Sequence, residues 1–358
     1  MKTLRTALVG MGRIGWDFHA PEIQRHAGFE LVAVVDPLPE RLAESRERFG
    51  VAGYSDYEEM LDSVSPDLVV IASPTLFHVE QTLTAFERGV DVFCDKPLAP
   101  DLSETDRVIA AMKAHGRKLM VFQPYRARPE VIALRDLIAQ GTVGPVFMVK
   151  YFEGMYRRRN DWQAFKKFGG GMLNNFAAHS VDALLHLVAS PARRVTCALR
   201  RIVSLGDAED VVKMIIETEN DVILDMDINM ASARTREKWH VFGKYGEIVL
   251  EEIEEYEGDE INPAEQILHL RYFDPKKLMQ ISVSEELAVP ERRYGTGEII
   301  PWQERQVCAG DYPPIDFYQK CYEYFAQDAP PFVPIEETRE VMRVLEICRG
   351  QGTDTKEE

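Results

Sequence analysis

Cysteine is scarce in this chain of 358 residues, and the few cysteines present are not paired along the sequence. They are odd in number, widely scattered and free of any C-x-x-C motif: Cys94, Cys197, Cys308, Cys321 and Cys348. Disulfide frameworks and cysteine-based zinc sites need paired, closely spaced cysteines. We therefore expect reduced thiols and no cysteine-based metal site.

Long hydrophobic runs and export signals are absent as well. No segment approaches the length of about 18 apolar residues that suggests a membrane-spanning helix. The start of the chain has only a short apolar run at residues 7–9, with no cleavage-site pattern and no twin arginine. The sequence therefore predicts a cytoplasmic protein that has no membrane partner.

Positive charge is in short supply too. The 42 lysines and arginines stand against 59 aspartates and glutamates, which gives a formal net charge of -17 at pH 7. Nucleic acids and anionic membranes are bound by basic surfaces, so this charge argues against both as partners. A diphosphate cofactor remains compatible with it, because backbone N–H groups at a helix N-terminus bind phosphate.

What the chain does contain is enough apolar sequence, 45% of its residues, for two hydrophobic cores. Up to about residue 122, strand-like runs alternate with helical ones, as in a parallel sheet covered by helices. Over residues 194–250 strands follow one another without helices, and alternation at 221–230 predicts a half-buried antiparallel strand. The predicted fold class is α/β, with a doubly wound parallel sheet in a domain at 1–124, an α+β domain with a mainly antiparallel sheet at 125–350 and a polar tail at 351–358.

A glycine motif stands at the start of the first predicted domain. Gly10, Gly12 and Gly15 follow a short strand in the spacing G-x-G-x-x-G, and a predicted helix follows them. A pyrophosphate must come close to the backbone at a helix N-terminus, which a side chain at the first two glycines would obstruct. The pattern predicts a dinucleotide site, although an ordinary strand-to-helix turn also uses glycine.

An aspartate follows about 20 residues after the last glycine, at the end of the second predicted strand. This residue, Asp36, would accept hydrogen bonds from the ribose hydroxyls, and its charge would repel a 2'-phosphate. The sequence therefore predicts NAD in preference to NADP, a preference that Arg13 and Arg41 weaken. The residues of this turn predicted to bind the cofactor are Gly10, Gly12, Arg13, Ile14, Gly15 and Asp36.

Two further predicted strands, at residues 66–72 and 90–94, also end in polar residues. Ligands of doubly wound sheets bind beyond the carboxyl ends of the strands, so these residues are predicted neighbours of the cofactor. Lys96 at such an edge could neutralise a developing alkoxide or donate to a substrate hydroxyl. A solvated turn lysine and a helix-start histidine without chemistry are the alternatives. The predicted cofactor contacts here are Ser73, Pro74, His78, Asp95 and Lys96.

A glycine-rich loop at residues 169–171 enters a predicted helix on which Asn175, His179 and Asp182 are spaced four and three apart. They would share one helical face. A core helix is one interpretation, but burying these polar groups unsatisfied costs several kcal/mol. A metal site that adds His186 is another. A catalytic face with His179 as proton donor or acceptor fits best, because imidazole titrates near neutral pH.

Taken in order, G-M-G-R-I-G at 10–15, D-K-P at 95–97 and the segment 169–182 resemble the Gfo/Idh/MocA family of glucose-fructose oxidoreductase and inositol dehydrogenase relatives. The resemblance covers nearly the whole chain. It implies a Rossmann domain, a second domain with a large open sheet, and NAD(P) chemistry on sugars, cyclitols or their derivatives. It implies a catalytic role for Lys96 and His179, whereas Asn175 stands where many members carry an aspartate.

The resulting hypothesis is hydride transfer between a secondary alcohol of a carbohydrate or polyol and nicotinamide. His179 would remove the hydroxyl proton, Lys96 would stabilise the alkoxide, and Asn175 would position the hydroxyl. The basic segment 151–168 adds Arg157 and Lys166 as candidate ligands of a substrate carboxylate or phosphate. The predicted substrate-binding set is Lys96, Arg157, Lys166, Asn175 and His179.

Two other functions stay open on sequence alone. A glycoside hydrolase or lyase that retains its NAD and uses transient oxidation would need the same residues. A non-catalytic NAD-binding regulatory protein is conceivable because Asn175 cannot take a proton. The open sheet would leave one face without helices, so a homodimer or homotetramer is expected. The acidic run 251–260 is predicted to be a solvated surface excursion.

Overall fold

Two β-sheets organise the chain, of which the computed structural model describes residues 2–234, 237–251, 262–278 and 299–352. The first sheet is fully parallel and has six strands in the order β3-β2-β1-β4-β5-β6. Its strands are β1 (Leu4–Val9), β2 (Phe29–Val35), β3 (Ala52–Tyr54), β4 (Leu68–Ile71), β5 (Asp91–Cys94) and β6 (Leu119–Val121).

Helices cover both faces of this parallel sheet. All four residues of β4 are buried, which is why the strand reads as a continuous apolar run rather than an alternating one. The helices of this region are α1 (Ala20–Arg25), α2 (Pro39–Phe49), α3 (Tyr57–Val64), α4 (Thr75–Glu87) and α5 (Leu102–His115). The predicted Rossmann architecture is confirmed.

The second sheet has eight described strands in the order β14-β13-β12-β11-β7-β10-β9-β8. They are β7 (Val146–Gly154), β8 (Ala192–Arg200), β9 (Val211–Thr218), β10 (Ile223–Asn229), β11 (Glu237–Gly243), β12 (Gly246–Glu251), β13 (Ile267–Tyr272) and β14 (Gln303–Cys308). One face packs against α6 (Pro129–Ala139), α7 (Ala178–Val188) and α9 (Ile335–Gly352). The predicted α+β region with a large open sheet is therefore confirmed.

The alternation in β10 follows the prediction, with Leu224, Met226 and Ile228 buried on the helix side of the sheet. The predicted direction is correct against β9 but wrong against β7, to which β10 is parallel. The chain leaves β7 through a helix and then reverses twice, from β8 to β9 and from β9 to β10. The second reversal returns β10 to the direction of β7.

The last two helices attach to different sheets. The helix α8 (Phe317–Gln327) packs with its aromatic side chains against the core of the parallel sheet, where Phe317 stacks on Phe93 at 5.8 Å. The helix α9 packs on the second sheet and continues to residue 352, two residues into the predicted tail. Residues 353–358 and nearly all of the acidic run 251–260 lie outside the described residues. In the described part of the chain, no helix has the length and apolarity to cross a bilayer.

Candidate active site

The glycine turn after β1 needs glycine for two different reasons. Gly10 has a φ of +93°, and a Cβ there would lie 2.7 Å from the backbone of Ala72 and Ser73. A Cβ on Gly15 would lie 2.0 Å from the carbonyl oxygen of Gly10. Gly12 instead has no described atom within 4 Å of the position of a Cβ, so its backbone borders open space. This arrangement fits a pyrophosphate, which needs a bare backbone surface beside a helix start.

Asp36 occupies the end of β2 as predicted, and it is nearly fully buried. Its Oδ2 accepts a hydrogen bond from the backbone N–H of Met11 at 2.9 Å and pairs with Arg41 at 3.2 Å. Its Oδ1 accepts from the backbone N–H of Leu38 at 3.0 Å. The carboxylate thus fastens the glycine turn to the start of α2. A carboxylate has about four acceptor positions, so roughly one remains for a ribose hydroxyl.

His78 lies in the first turns of α4, between two backbone carbonyl oxygens. Its Nδ1 lies 2.9 Å from the carbonyl oxygen of Pro97, and its Nε2 lies 2.7 Å from that of Ser73. Burial lowers the pKa of this imidazole. These two contacts place His78 between the loops after β4 and β5, and its contact with a cofactor stays a prediction. The Ser73 hydroxyl is likewise engaged, donating to Gln81 at 2.6 Å.

Lys96 lies directly after β5, before a cis peptide bond to Pro97. Its ammonium donates to the backbone carbonyl of Asn175, whose side-chain oxygen lies 3.5 Å away. Burial lowers the pKa of Lys96 to about 8. The carboxylates of Asp95 and Glu153 raise this pKa. The guanidinium groups of Arg159 and Arg13 lower it further. A lysine of this kind can exchange a proton near neutral pH.

His179 lies in the first turn of α7, next to the lysine. Its ring stacks on Tyr125 with 4.5 Å between centroids and 12° between planes, and the guanidinium of Arg128 lies 3.5 Å from the same tyrosine ring's centroid. Among the described residues its Nδ1 has no hydrogen-bond partner. Burial, with Lys96 and Arg128 adding to it, holds the pKa of His179 well below its usual value. The imidazole is therefore neutral at physiological pH.

Asp182 is engaged elsewhere, although it lies one turn from His179. It forms a buried, two-pronged ion pair with Arg126, whose Nε donates to its Oδ2 at 2.9 Å. Arg126 also donates to Glu337 of α9 at 2.7 Å. The His186 side chain contacts Arg135. His179 thus stacks on Tyr125 while Asp182 and His186 contact arginines, and no group of three candidate metal ligands occurs in the described ranges.

Helices α1 and α7 are both entered through a π-helical turn, at Gly15–His19 and Leu173–Ala177. Such wide turns are rare and are frequent at functional sites. The second one contains Asn175 and brings its backbone carbonyl to Lys96. The two turns therefore lie at the predicted cofactor and catalytic elements.

One arginine of the basic segment turns inward, and it does not belong to the predicted set. Arg157 and Lys166 have exposed side chains, whereas Arg159 is only 8% exposed. Arg159 donates to the side-chain oxygen of Gln163, which also accepts from Asn175 at 3.3 Å. Which of three consecutive arginines turns inward depends on the loop's path, so no pattern in the sequence could have identified it.

Glu153 is a second residue of the site that the motifs did not reveal. It is buried at the end of β7 and accepts a hydrogen bond from the Tyr151 hydroxyl, whose ring packs on Trp239 at 4.5 Å. It raises the pKa of Lys96, so it lies within electrostatic range of that ammonium. The alternation of β7 was the available signal, because Val149, Tyr151 and Glu153 share a strand face.

Known proteins match both regions of the chain. Residues 4–123 match an oxidoreductase family with an NAD-binding Rossmann fold, and residues 131–249 match the GFO/IDH/MocA C-terminal domain. Inositol 2-dehydrogenase from Pseudarthrobacter chlorophenolicus is 29% identical over 231 residues, which cover 63% of this chain and 67% of that protein. D-glucoside 3-dehydrogenase from Escherichia coli is 29% identical over 193 residues, 53% of this chain and 55% of that protein.

Solved structures share the fold over almost the full length. The NAD-binding protein from Listeria innocua has a TM-score of 0.80 at 21% identity and covers 98% of this chain and 95% of its own. The aldose-aldose oxidoreductase from Caulobacter crescentus has a TM-score of 0.74 at 19% identity, with 99% of each chain covered. These structures show the fold, and the two family matches over residues 4–123 and 131–249 show that the chain belongs to the Gfo/Idh/MocA family of NAD-binding oxidoreductases.

Proposed function

We propose that the protein is a dehydrogenase that oxidises a secondary alcohol of a sugar, cyclitol or sugar derivative, reversibly. The observation that carries the proposal is the meeting of Lys96, from the end of β5, with Asn175, from the helix that also carries His179. Two relatives are named dehydrogenases of inositol and of a D-glucoside. The bound nicotinamide would supply the hydride acceptor.

Lys96 is the proton acceptor in this proposal, in place of His179. A general base works best when its pKa lies near the operating pH, and the pKa of Lys96 is lowered to about 8 by burial. The pKa of His179 is held well below its usual value, so this imidazole takes up a proton poorly. Its unpartnered Nδ1 is suited to a hydrogen bond with the substrate hydroxyl.

Asn175 has a positioning role. Its carbonyl oxygens hold the Lys96 ammonium, and its amide nitrogen donates to Gln163 at 3.3 Å. An amide cannot exchange the proton that an aspartate could, so the proton leaves through Lys96. The buried Glu153 supports the ammonium form of Lys96 from the strand side.

The proposed cofactor is NAD, with NADP bound less well. Asp36 is buried at the end of β2 and already carries a negative charge where a 2'-phosphate would approach. Arg41 lies 3.2 Å from this carboxylate and would reduce the discrimination without reversing it.

We further propose that the protein works in the cytoplasm as a homodimer or homotetramer. The face of the second sheet opposite its helices carries exposed apolar side chains, among them Phe147 and Ile223. Covering such a face with a second copy is a common way to protect an open sheet.

The test is a substrate panel of polyols, aldoses, uronates and nucleotide sugars, each assayed with NAD and with NADP. Net formation of reduced nicotinamide with a free sugar or polyol supports the dehydrogenase. Turnover of a glycoside without net reduction would instead identify a redox-neutral hydrolase or lyase. Tight cofactor binding without turnover of any substrate class would identify a regulatory protein.

A further inference from the structure

Arg159 is a buried arginine whose guanidinium bonds, among the described residues, through Nη1 alone. Its Nη1 donates to the side-chain oxygen of Gln163 and lies 3.3 Å from Asp161. Its Nε is buried without a hydrogen-bond partner in the described part of the chain. No described hydrogen bond involves its Nη2. Arginine is rarely this buried unless it is fully paired, so the unused Nε–Nη2 edge indicates a missing acceptor.

The position of Arg159 connects it to the site of the proposed chemistry. Gln163 accepts hydrogen bonds from both Arg159 and Asn175, and Asn175 in turn holds the ammonium of Lys96. Two side chains therefore separate the unused guanidinium edge from the proposed proton acceptor. An acceptor at that edge would therefore belong to the same site as the reacting hydroxyl.

Four cations converge here in a chain whose net charge is -17. Burial lowers the pKa of Lys96 and that of Arg159; Arg159 and Arg13 lower the first further, Arg157 and Arg13 the second, so these cations repel one another. The carboxylates that counter this repulsion are Asp95 and Glu153 near Lys96 and Asp161 beside Arg159. A cofactor diphosphate would be held at the glycine turn, where Arg13 stands. Arg159 is left with the half-exposed Asp161 as its described counter-charge.

We propose that the substrate carries a carboxylate and that the Nε–Nη2 edge of Arg159 binds it. Two parallel N–H groups on that edge match the two oxygens of a planar carboxylate. The inference rests on the proposed function, because it names the substrate class of the same site as a sugar acid, such as a uronate or an aldonate. A phosphate would bind the same edge, so the experiment separates the two anions.

The experiment compares a uronate, the matching neutral aldose and the matching sugar phosphate with wild type and three variants. Arg159→Gln removes the charge, Arg159→Lys keeps the charge but not the two-pronged edge, and Arg158→Gln alters an exposed neighbour as the control. Each variant is assayed for kcat/KM, for the dissociation constant of NADH by fluorescence, and for its melting temperature with NADH and each ligand.

Wild type should prefer the uronate, and Arg159→Gln should lower the uronate-to-aldose ratio of kcat/KM about 100-fold, equivalent to about 2.7 kcal/mol. Arg159→Lys should recover part of that ratio, and Arg158→Gln should keep it. The NADH dissociation constant should change less than about threefold in Arg159→Gln, equivalent to about 0.7 kcal/mol.

Three results would overturn the inference: a wild-type preference for the neutral aldose, equal losses on both substrates in Arg159→Gln, or a matching loss of NADH affinity. A preference for the sugar phosphate would show that the edge of Arg159 binds a phosphate and not a carboxylate. If no substrate yields reduced nicotinamide, the proposed function fails. The melting temperature then still tests whether Arg159 binds a carboxylate. If it does, a uronate should raise the melting temperature of wild type but not that of Arg159→Gln.

Discussion

The ammonium of Lys96 donates to the backbone carbonyl of Asn175 and lies 3.5 Å from its side-chain oxygen. This contact joins the end of a parallel strand to the π-helical entry of α7. The partner is uncharged, and burial lowers the pKa of the lysine to about 8. A neutral asparagine thus leaves Lys96 able to exchange a proton near physiological pH.

Removing the ammonium tests its place in the chemistry. Lys96→Met should lower kcat about 10²- to 10⁴-fold, the usual contribution of a general acid or base. The NADH dissociation constant should change far less than kcat, because the glycine turn and Asp36, which hold most of the cofactor, are untouched. Steady-state kinetics and a fluorescence titration measure the two quantities. Unchanged turnover would remove Lys96 from the mechanism.

The pH profile should follow the titration of Lys96. The proton acceptor is the neutral amine, which predominates above the pKa, so alcohol oxidation should increase as the pH rises through about 8. Glu153 raises that pKa, so Glu153→Gln should lower it and move the midpoint to lower pH. The measurement is kcat/KM against pH for both proteins. A midpoint that moves upward in the variant would contradict this assignment.

Asn175→Asp should shift the pH profile of alcohol oxidation in the opposite direction from Glu153→Gln. A carboxylate beside the ammonium favours the charged form, and an opposite charge at this distance shifts a pKa by about 1–3 units. The midpoint of alcohol oxidation should therefore move to higher pH, with reduced activity at pH 7. Asn174→Asp, one residue away, is the control, since Asn174 bonds to Arg349 and not to Lys96.

Cofactor choice should depend on Asp36. Asp36→Ser removes the charge that opposes a 2'-phosphate and leaves Arg41 free to meet it. We expect the NAD-to-NADP ratio of kcat/KM to fall at least about tenfold, equivalent to about 1.4 kcal/mol. Glu47→Gln, an exposed charge on α2, should leave the ratio unchanged. A constant ratio in Asp36→Ser would show that discrimination lies elsewhere.

Asp182 should matter for stability. Asp182→Asn breaks a buried ion pair and leaves Arg126 with Glu337, so the free energy of unfolding should fall by about 3–5 kcal/mol. The control is Asp106→Asn, which breaks the surface pair with Arg339 and should cost about 1 kcal/mol or less. Denaturant unfolding of both variants measures the difference. Equal losses would contradict the structural role of Asp182.

Local patterns were sufficient for the parts of the fold that depend on neighbouring residues. The glycine turn could be predicted from the sequence because Gly10 needs a positive φ and Gly15 has no room for a Cβ. The bounds of helix α2 could be predicted because Pro39 can begin a helix and Gly50 ends it in the left-handed conformation. Such requirements involve only a few neighbouring residues, so they restrict the residue type at each position and can be recognised in the sequence.

Long-range packing decided what the patterns left open. Helical spacing put His179 and Asp182 on one face, but only the fold pairs the first with Tyr125 and the second with Arg126. Only the fold, likewise, brings the ring nitrogens of His78 to backbone carbonyl oxygens in the loops after β4 and β5. Apart from Ser73, five residues before His78, these partners lie 19 to 56 positions away, and nothing near these residues in sequence specifies them.

By itself, the sequence determined the dinucleotide turn, the parallel sheet and the order of Lys96 and His179, because backbone geometry and strand periodicity are local properties. The tertiary structure alone decided which charges meet. It buried Arg159 and left Arg157 exposed, brought Glu153 within electrostatic range of Lys96, and lowered the pKa of that lysine to about 8. Burial and charge separation belong to the packed chain, so they arise only when distant segments come together.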